Sequence, residues 1–219
     1  ANRGDQNRVD RRKRQRGIRD RSMLYAGSDG ESQSAIQQGL RIGDMSIDDV
    51  NTQTQSLVAS LQEESDQELR IANALWTVNN FEPEPNYVDM MKEYYDSIVD
   101  TGDASKVNNW ASDNTNGNIP TIIKEIDDSL RLLITSALYF NGTWKTEFNE
   151  SNTEPREFTS RTGNTEEVET MYLNSDMDYT ATNDIQAVSL PYGENEMYRM
   201  LVVLPKDMDT YLTNFDSSQ

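Results

Sequence analysis

The 219 residues contain neither His nor Cys, and that absence removes most site chemistry at once. A Ser-His-Asp or Cys-His catalytic set needs an imidazole base, and histidine-based zinc sites need the same ring as a ligand. Disulfides and thiolate nucleophiles need Cys. Carboxylates, Lys and Tyr remain. Asp and Glu together number 38, yet no pair is singled out by spacing. Asp127 and Asp128 are adjacent and read as solvated loop charge, the usual fate of surface carboxylates. Tyr87, Met90, Met91, Tyr94, Tyr95 and Ile98 recur at helical spacing; such a stripe reads as core rather than as a ligand box. No catalytic residue, metal site or cofactor site is expected, and the chain does not read as an enzyme. Two tripeptides, Asn141-Gly142-Thr143 and Asn149-Glu150-Ser151, have the form of N-glycosylation acceptors that a secreted route would use. Tripeptides of this kind also arise by chance in an Asn-rich chain, which is the simpler reading of both.

The net charge of −18 is unevenly distributed. Residues 1–20 hold eight basic and three acidic side chains; the remaining 12 basic and 35 acidic ones leave residues 21–219 at −23. Such a surface repels nucleic acid and anionic membranes, so neither is expected as a partner. Few cations against many acids suits a protein adapted to high salt, where screening relieves self-repulsion and hydrated carboxylates keep the surface wet. An acidic secreted protein is the alternative. The run Arg11 to Arg16, RRKRQR, accompanies no apolar period. A nuclear signal or nucleic-acid arm is its functional reading; a solvated or artefactual tail is the simpler one. No apolar run approaches the ~18 residues that span a bilayer, and the first 20 residues lack the apolar stretch of a signal peptide.

The elements come from periodicity. Ser22 to Gly27 reads as the end of a buried helix stopped by Gly27. Glu31 to Leu40 predicts a short helix with Ala35, Ile36 and Leu40 on one face, and Asp48 to Gln62 a second with Val50, Thr54, Leu57, Val58 and Leu61 on a stripe. Leu69 to Val78 is a strand of the nearly continuous apolar kind found in a covered sheet. Phe81 to Tyr87, with two prolines, marks a loop. A short helix surrounds Trp110 and breaks at the Asn- and Gly-rich turn near Gly117. Leu130 to Phe140 is the strongest strand signal. Shorter strands follow around Phe158, Glu167 to Leu173, Met177 to Thr182, Ala187 to Leu190 and Tyr198 to Leu204, then a helix from near Lys206. Helices gathered in the first half and strands in the second predict an α+β fold.

Six runs, in order, resemble the serpin family. They are Ser22 to Leu40, Leu69 to Trp76, Val107 to Ile123, Leu132 to Phe148, Leu190 to Gly193 and Met200 to Pro205. Thr153, Phe158, Val168 and Met171 fall between them. The resemblance implies a partial serpin fold: helices packed on a large central β-sheet plus smaller sheets, without the N-terminal helix and the C-terminal reactive-loop region. It also implies site residues. Trp144 occupies the place of the family's Trp in the turn after the central strand, which sits under the point where the reactive loop first enters the sheet. Thr135 and Ser136 lie on that strand. Ser136 stands where the family usually has an Asn that bonds across the slot for the inserting loop, and its hydroxyl has shorter reach. Trp110 is an anchor beside a turn. Thr115 and Gly117 begin the matched T-x-G-x-I run. No reactive-centre loop is expected within the chain.

The resemblance implies, for the complete parent, a suicide-substrate inhibitor whose cleaved loop inserts as a new strand and traps a serine protease, in some cases a cysteine protease, without a cofactor. The 219 residues alone are expected to be inactive. A non-inhibitory serpin acting as ligand carrier or chaperone, and a decayed gene product, are the alternatives. The family implies an extracellular location, with a cytoplasmic one as alternative. Residues 1–20 read as a basic tail, disordered or translated out of frame, and residues 21–219 as the partial serpin domain. Because residues 21–219 carry −23, the melting temperature should rise from dilute to molar KCl as screening relieves repulsion. A flat or falling melting temperature would remove the salt-adapted reading.

Overall fold

The apolar run near residue 70 forms strand β1, Glu68–Thr77, in the computed structural model, which describes residues 18–63 and 66–215. Residues 1–17, with the basic run, and residues 216–219 lie outside the described residues. The chain divides into one unit of residues 18–63 and 69–140 and another of 66–68 and 141–215.

In the first unit β1 is the middle of a three-stranded sheet, between β2, Ser97–Thr101, and β3, Leu132–Asn141. β1 and β2 run parallel, with Asn73 opposite Ser97 and Thr77 opposite Thr101. Side chains alternate across a strand, and both faces of β1 are covered. Leu75 joins a cluster of Met23, Ala26, Tyr87, Met91 and Tyr95. Ala74 and Trp76 join another with Val107, Trp110, Ala111 and Ala137. The first cluster is built by α1 (Ile18–Ala26) and α4 (Pro85–Tyr95), the second by α5 (Ala104–Asn114). Gly27 lets α1 close on α4: a Cβ there would stand 2.6 Å from the Tyr87 ring. Tyr87 donates to Met23 O at 3.2 Å, and burial pushes its hydroxyl up to about 12. The folded phenol resists ionisation, so the stability it supports is complete below its ordinary value of 10.0 and falls as pH rises through about 12.

Several expectations change. The Tyr and Met stripe does form core in α4, but the helix stops at Asp96 in the left-handed region (φ 48), and Ile98 belongs to β2, which periodicity did not reveal. The loop expected over residues 81–87 ends early, because Pro85 begins α4, where its missing N–H costs nothing. In α3, Ile47–Glu63, Leu57 is 58% exposed, while Val50 and Asn51 are the buried pair. The physical reason is a polar contact: Tyr95 donates to Asn51 Oδ1 at 2.7 Å and so turns that face of α3 inward. In α2, Gly30–Leu40, Ile36 and Leu40 are half-buried and Ala35 exposed, so the helix lies on the surface.

The second unit holds a hairpin of β4, Glu154–Thr159, and β5, Thr165–Thr170, both almost wholly exposed. It also holds an antiparallel sheet ordered β6 (Asp178–Ala181), β7 (Ile185–Pro191), β8 (Arg199–Pro205). The final helix α6 is short, Met208–Asn214, and begins where Asp207 accepts from the N–H groups of Asp209 and Thr210. β8 shows apolar side chains on both faces, Leu201 at 66% and Leu204 at 63% exposure. β3 is an outer strand of its sheet among the described residues, with Leu138 63% exposed. Unpaired apolar edges template association. Residues 21–219 in isolation should therefore run as oligomers on size-exclusion chromatography despite their charge. A stable monomer at about tens of micromolar would contradict this.

Candidate functional site

Trp76 and Trp110 meet edge to face, with ring centroids 6.1 Å apart and planes at 82°. The indole N–H of Trp76 donates to Thr135 Oγ1 at 2.8 Å in a buried bond that ties β1 to β3. Ala137 packs on the same side. The pair is worth about 0.5–1.5 kcal/mol beyond its buried area. Trp110 and Thr135, two of the residues singled out from sequence, thus belong to one cluster. Ser136 does not join it: the strand pleat turns it to the opposite face of β3, where it is exposed and its hydroxyl has no partner among the described residues.

Thr115 and Gly117 end α5. Thr115 is buried; its hydroxyl donates to Ala111 O at 2.7 Å and accepts from Ile119 N–H at 3.0 Å, so one side chain closes the helix and starts the return loop. Asn116 and Gly117 take φ of 52 and 78, and Gly117 N–H returns to Ser112 O at 2.8 Å. Asn108 then fastens the loop. Its Oδ1 accepts from Ile122 and Ile123 N–H at 2.8 and 3.1 Å, and its Nδ2 donates to Ile123 O at 2.8 Å. Sequence reasoning passed over Asn108. The signal was a polar residue next to Val107 and two before Trp110, beside the buried apolar positions of α5.

In the second unit Trp144 stacks on Tyr192, with centroids 4.2 Å apart and planes at 17°, and meets Phe148 edge to face at 6.1 Å. Backbone pairing holds the stack: Trp144 bridges Tyr192 antiparallel, and Lys145 N–H donates to Pro191 O at 3.0 Å. Gly193, at φ 60, leaves no room for a Cβ beside Asp66 and Gln67. Asp66 accepts from Glu194 N–H at 2.7 Å, and Gln67 Oε1 from Thr143 N–H at 2.7 Å. Beside the stack lies a cavity of about 340 Å³ whose lining includes Trp144, Phe148, Leu190, Lys145, Glu196 and Arg199. Lys145 and Arg199 both pair with Glu196, and Arg199 also with Asp178 at 2.5 Å. The Lys145 ammonium holds the Glu196 carboxyl below its ordinary range, and Glu196 raises Lys145 in turn. Lys145 and Arg199 thus neutralise Glu196 and Asp178 beside the aromatic stack. Among the described residues no group of acidic side chains is placed to hold a metal ion, and no helix is long and apolar enough to cross a membrane.

A six-run order, a sheet covered by helices on both faces and an open outer strand together define a class, and comparison with known proteins agrees. The family model of serpins, serine protease inhibitors, matches residues 22–218. A serpin-like protein of Thermococcus kodakarensis is 32% identical over 197 residues, covering 85% of this chain and 45% of the relative. Antichymotrypsin-2 of Bombyx mori is 27% identical over 199 residues, covering 86% and 52%. The crystal structure of the thermophilic serpin tengpin in the native state superposes with a TM-score of 0.82 at 25% identity, covering 91% of this chain and 53% of tengpin. The chain belongs to the serpin family, and its fold is the α+β fold of that family. It spans about half of the length, or less, of the curated relatives it matches. Serpins are generally protease inhibitors and not enzymes.

Neighbouring residues of β3 should respond differently to substitution. Thr135→Val leaves the buried Trp76 N–H without an acceptor and should cost about 1–3 kcal/mol. Ser136→Asn, on the exposed face, should stay within about 0.5 kcal/mol. Denaturant unfolding of the two variants checks this; equal losses would contradict the assignment of faces.

Proposed function

We propose that the complete protein to which this chain belongs is a serine-protease inhibitor that traps its target by inserting a cleaved loop into the sheet containing β1 and β3. The observation that carries this reading is β3. Its inner face is locked by Thr135 and Ala137 onto the Trp76–Trp110 cluster, while its other face shows Ser136 and Leu138 exposed, and it is an outer strand among the described residues. A rigid outer strand is a template for strand addition. In this reading Ser136 contacts the incoming strand in place of a longer amide. Trp144, stacked on Tyr192, supports the point where the loop begins to insert. Trp110, Thr115 and Gly117 hold α5 and its return loop against the sheet. No cofactor takes part. The partner is a serine protease, met outside the cell, and the acidic surface suits a saline medium.

The 219-residue chain mixed with trypsin-like, chymotrypsin-like and subtilisin-like proteases should undergo ordinary proteolysis and leave no complex that survives boiling in SDS. The complete protein should form such a complex with at least one of them, and Trp144→Ala in it should slow complex formation. A stable adduct from residues 1–219 alone would overturn the division of roles. Cleavage of the complete protein by all three without an adduct would favour a non-inhibitory serpin.

A further inference from the structure

The two Asn-x-Ser/Thr tripeptides have different geometries. Asn149 Oδ1 accepts from the Ser151 N–H at 2.9 Å and from the Ser151 hydroxyl at 2.7 Å. The same side chain caps the single 3-10 turn Glu150–Asn152. Asn149, Glu150 and Ser151 are all exposed, and Asn149 Nδ2 has no partner among the described residues. Two donors on Oδ1 draw electron density toward oxygen, acidify the Nδ2 protons and hold the amide in one orientation. The hydroxyl that the tripeptide requires is thus already in place on the acceptor amide. Asn141 differs. It is the last residue of β3, and no bond joins its side chain to Thr143 among the described residues. Thr143 is engaged elsewhere: its N–H donates to Gln67 Oε1 at 2.7 Å and its carbonyl accepts from Gly193 N–H at 2.9 Å.

We propose that Asn149 is an N-glycan acceptor and that Asn141 is not. The co-substrate is a glycan activated at its anomeric carbon as a lipid-linked phosphate or pyrophosphate ester. Asn149 Nδ2 attacks that carbon, the carbon–oxygen bond to phosphate breaks, and the lipid phosphate leaves with the electron pair. A base of the transferring enzyme takes one amide proton, and no electron donor or acceptor is needed. The attached sugar lies close to the start of β4, whose residues are all exposed, including Phe158 at 55%. The proposal rests on the extracellular reading, since the transferring enzymes act on exported chains.

The test is transfer in vitro, which does not depend on export. The full chain is incubated with a purified oligosaccharyltransferase and its lipid-linked oligosaccharide, then read by intact mass and peptide mapping. Short peptides carrying each tripeptide serve as positive controls. One glycan is expected on Asn149, lost in Asn149→Gln and Ser151→Ala and kept in Ser151→Thr and Asn141→Gln, with circular dichroism unchanged in all four. No addition to the chain while both peptides are modified, or addition at Asn141, would overturn the proposal. Fractionation of the source cell reads the location separately. Recovery only from the cytosol, with transfer in vitro intact, would overturn the extracellular reading and with it the modification in the cell.

Discussion

The burial of both faces of β1 is the constraint on which the first unit depends. A strand covered on two sides must present apolar side chains to each, and β1 does so with Leu75 on one side and Ala74 and Trp76 on the other. Each large side chain so buried contributes about 1.5–3 kcal/mol. Covering both faces requires helices on both, which α1 and α4 supply on one side and α5 on the other. The indole of Trp76 cannot be buried without an acceptor for its N–H. Thr135 meets that need, and in doing so sets which residues of β3 point inward.

Once Thr135 and Ala137 face the core, the pleat sends Ser136 and Leu138 to the other side. The packing that stabilises the sheet is therefore also what leaves one face of its outer strand open. One contact, Trp76 to Thr135, thus accompanies both the buried and the exposed face of β3. The return loop after α5 follows similar logic. Asn108 and Thr115 satisfy the N–H groups of Ile119, Ile122 and Ile123 from the helix. A loop fastened by side chains rather than by a ladder is easier to release than a strand.

The second unit is organised differently. Its strands bury little apolar surface, and much of its order comes from backbone pairing around Trp144 and Tyr192 and from ion pairs about Glu196. Exposed ion pairs contribute only about 0–1 kcal/mol each and weaken with salt. Against −18 of net charge, however, the four partners Lys145, Arg199, Glu196 and Asp178 place scarce cations where acids converge. The Trp144–Tyr192 stack, in contrast, is not screened by salt.

Sequence alone determined the long strands, the α+β class, the acidic body and the absence of His and Cys chemistry, because continuous apolar runs and composition do not depend on what lies far away in the chain. It also carried the family, through six ordered runs. It did not determine faces. Leu57 looked like core and is exposed, whereas Asn51, two turns before, is buried because Tyr95, 44 residues later, offers it a hydroxyl. Ile98 continued a helical period and became a strand, because Asp96 turned left-handed and β1 offered a ladder. Thr135 and Ser136 are adjacent hydroxyl residues, and a bond from Trp76, 59 residues earlier, holds Thr135 on the inner face. The two glycosylation tripeptides read alike as well, until folding joined Ser151 to Asn149 and engaged Thr143 elsewhere. In each case the deciding partner is remote in sequence, and only the packed chain brings it within hydrogen-bonding distance.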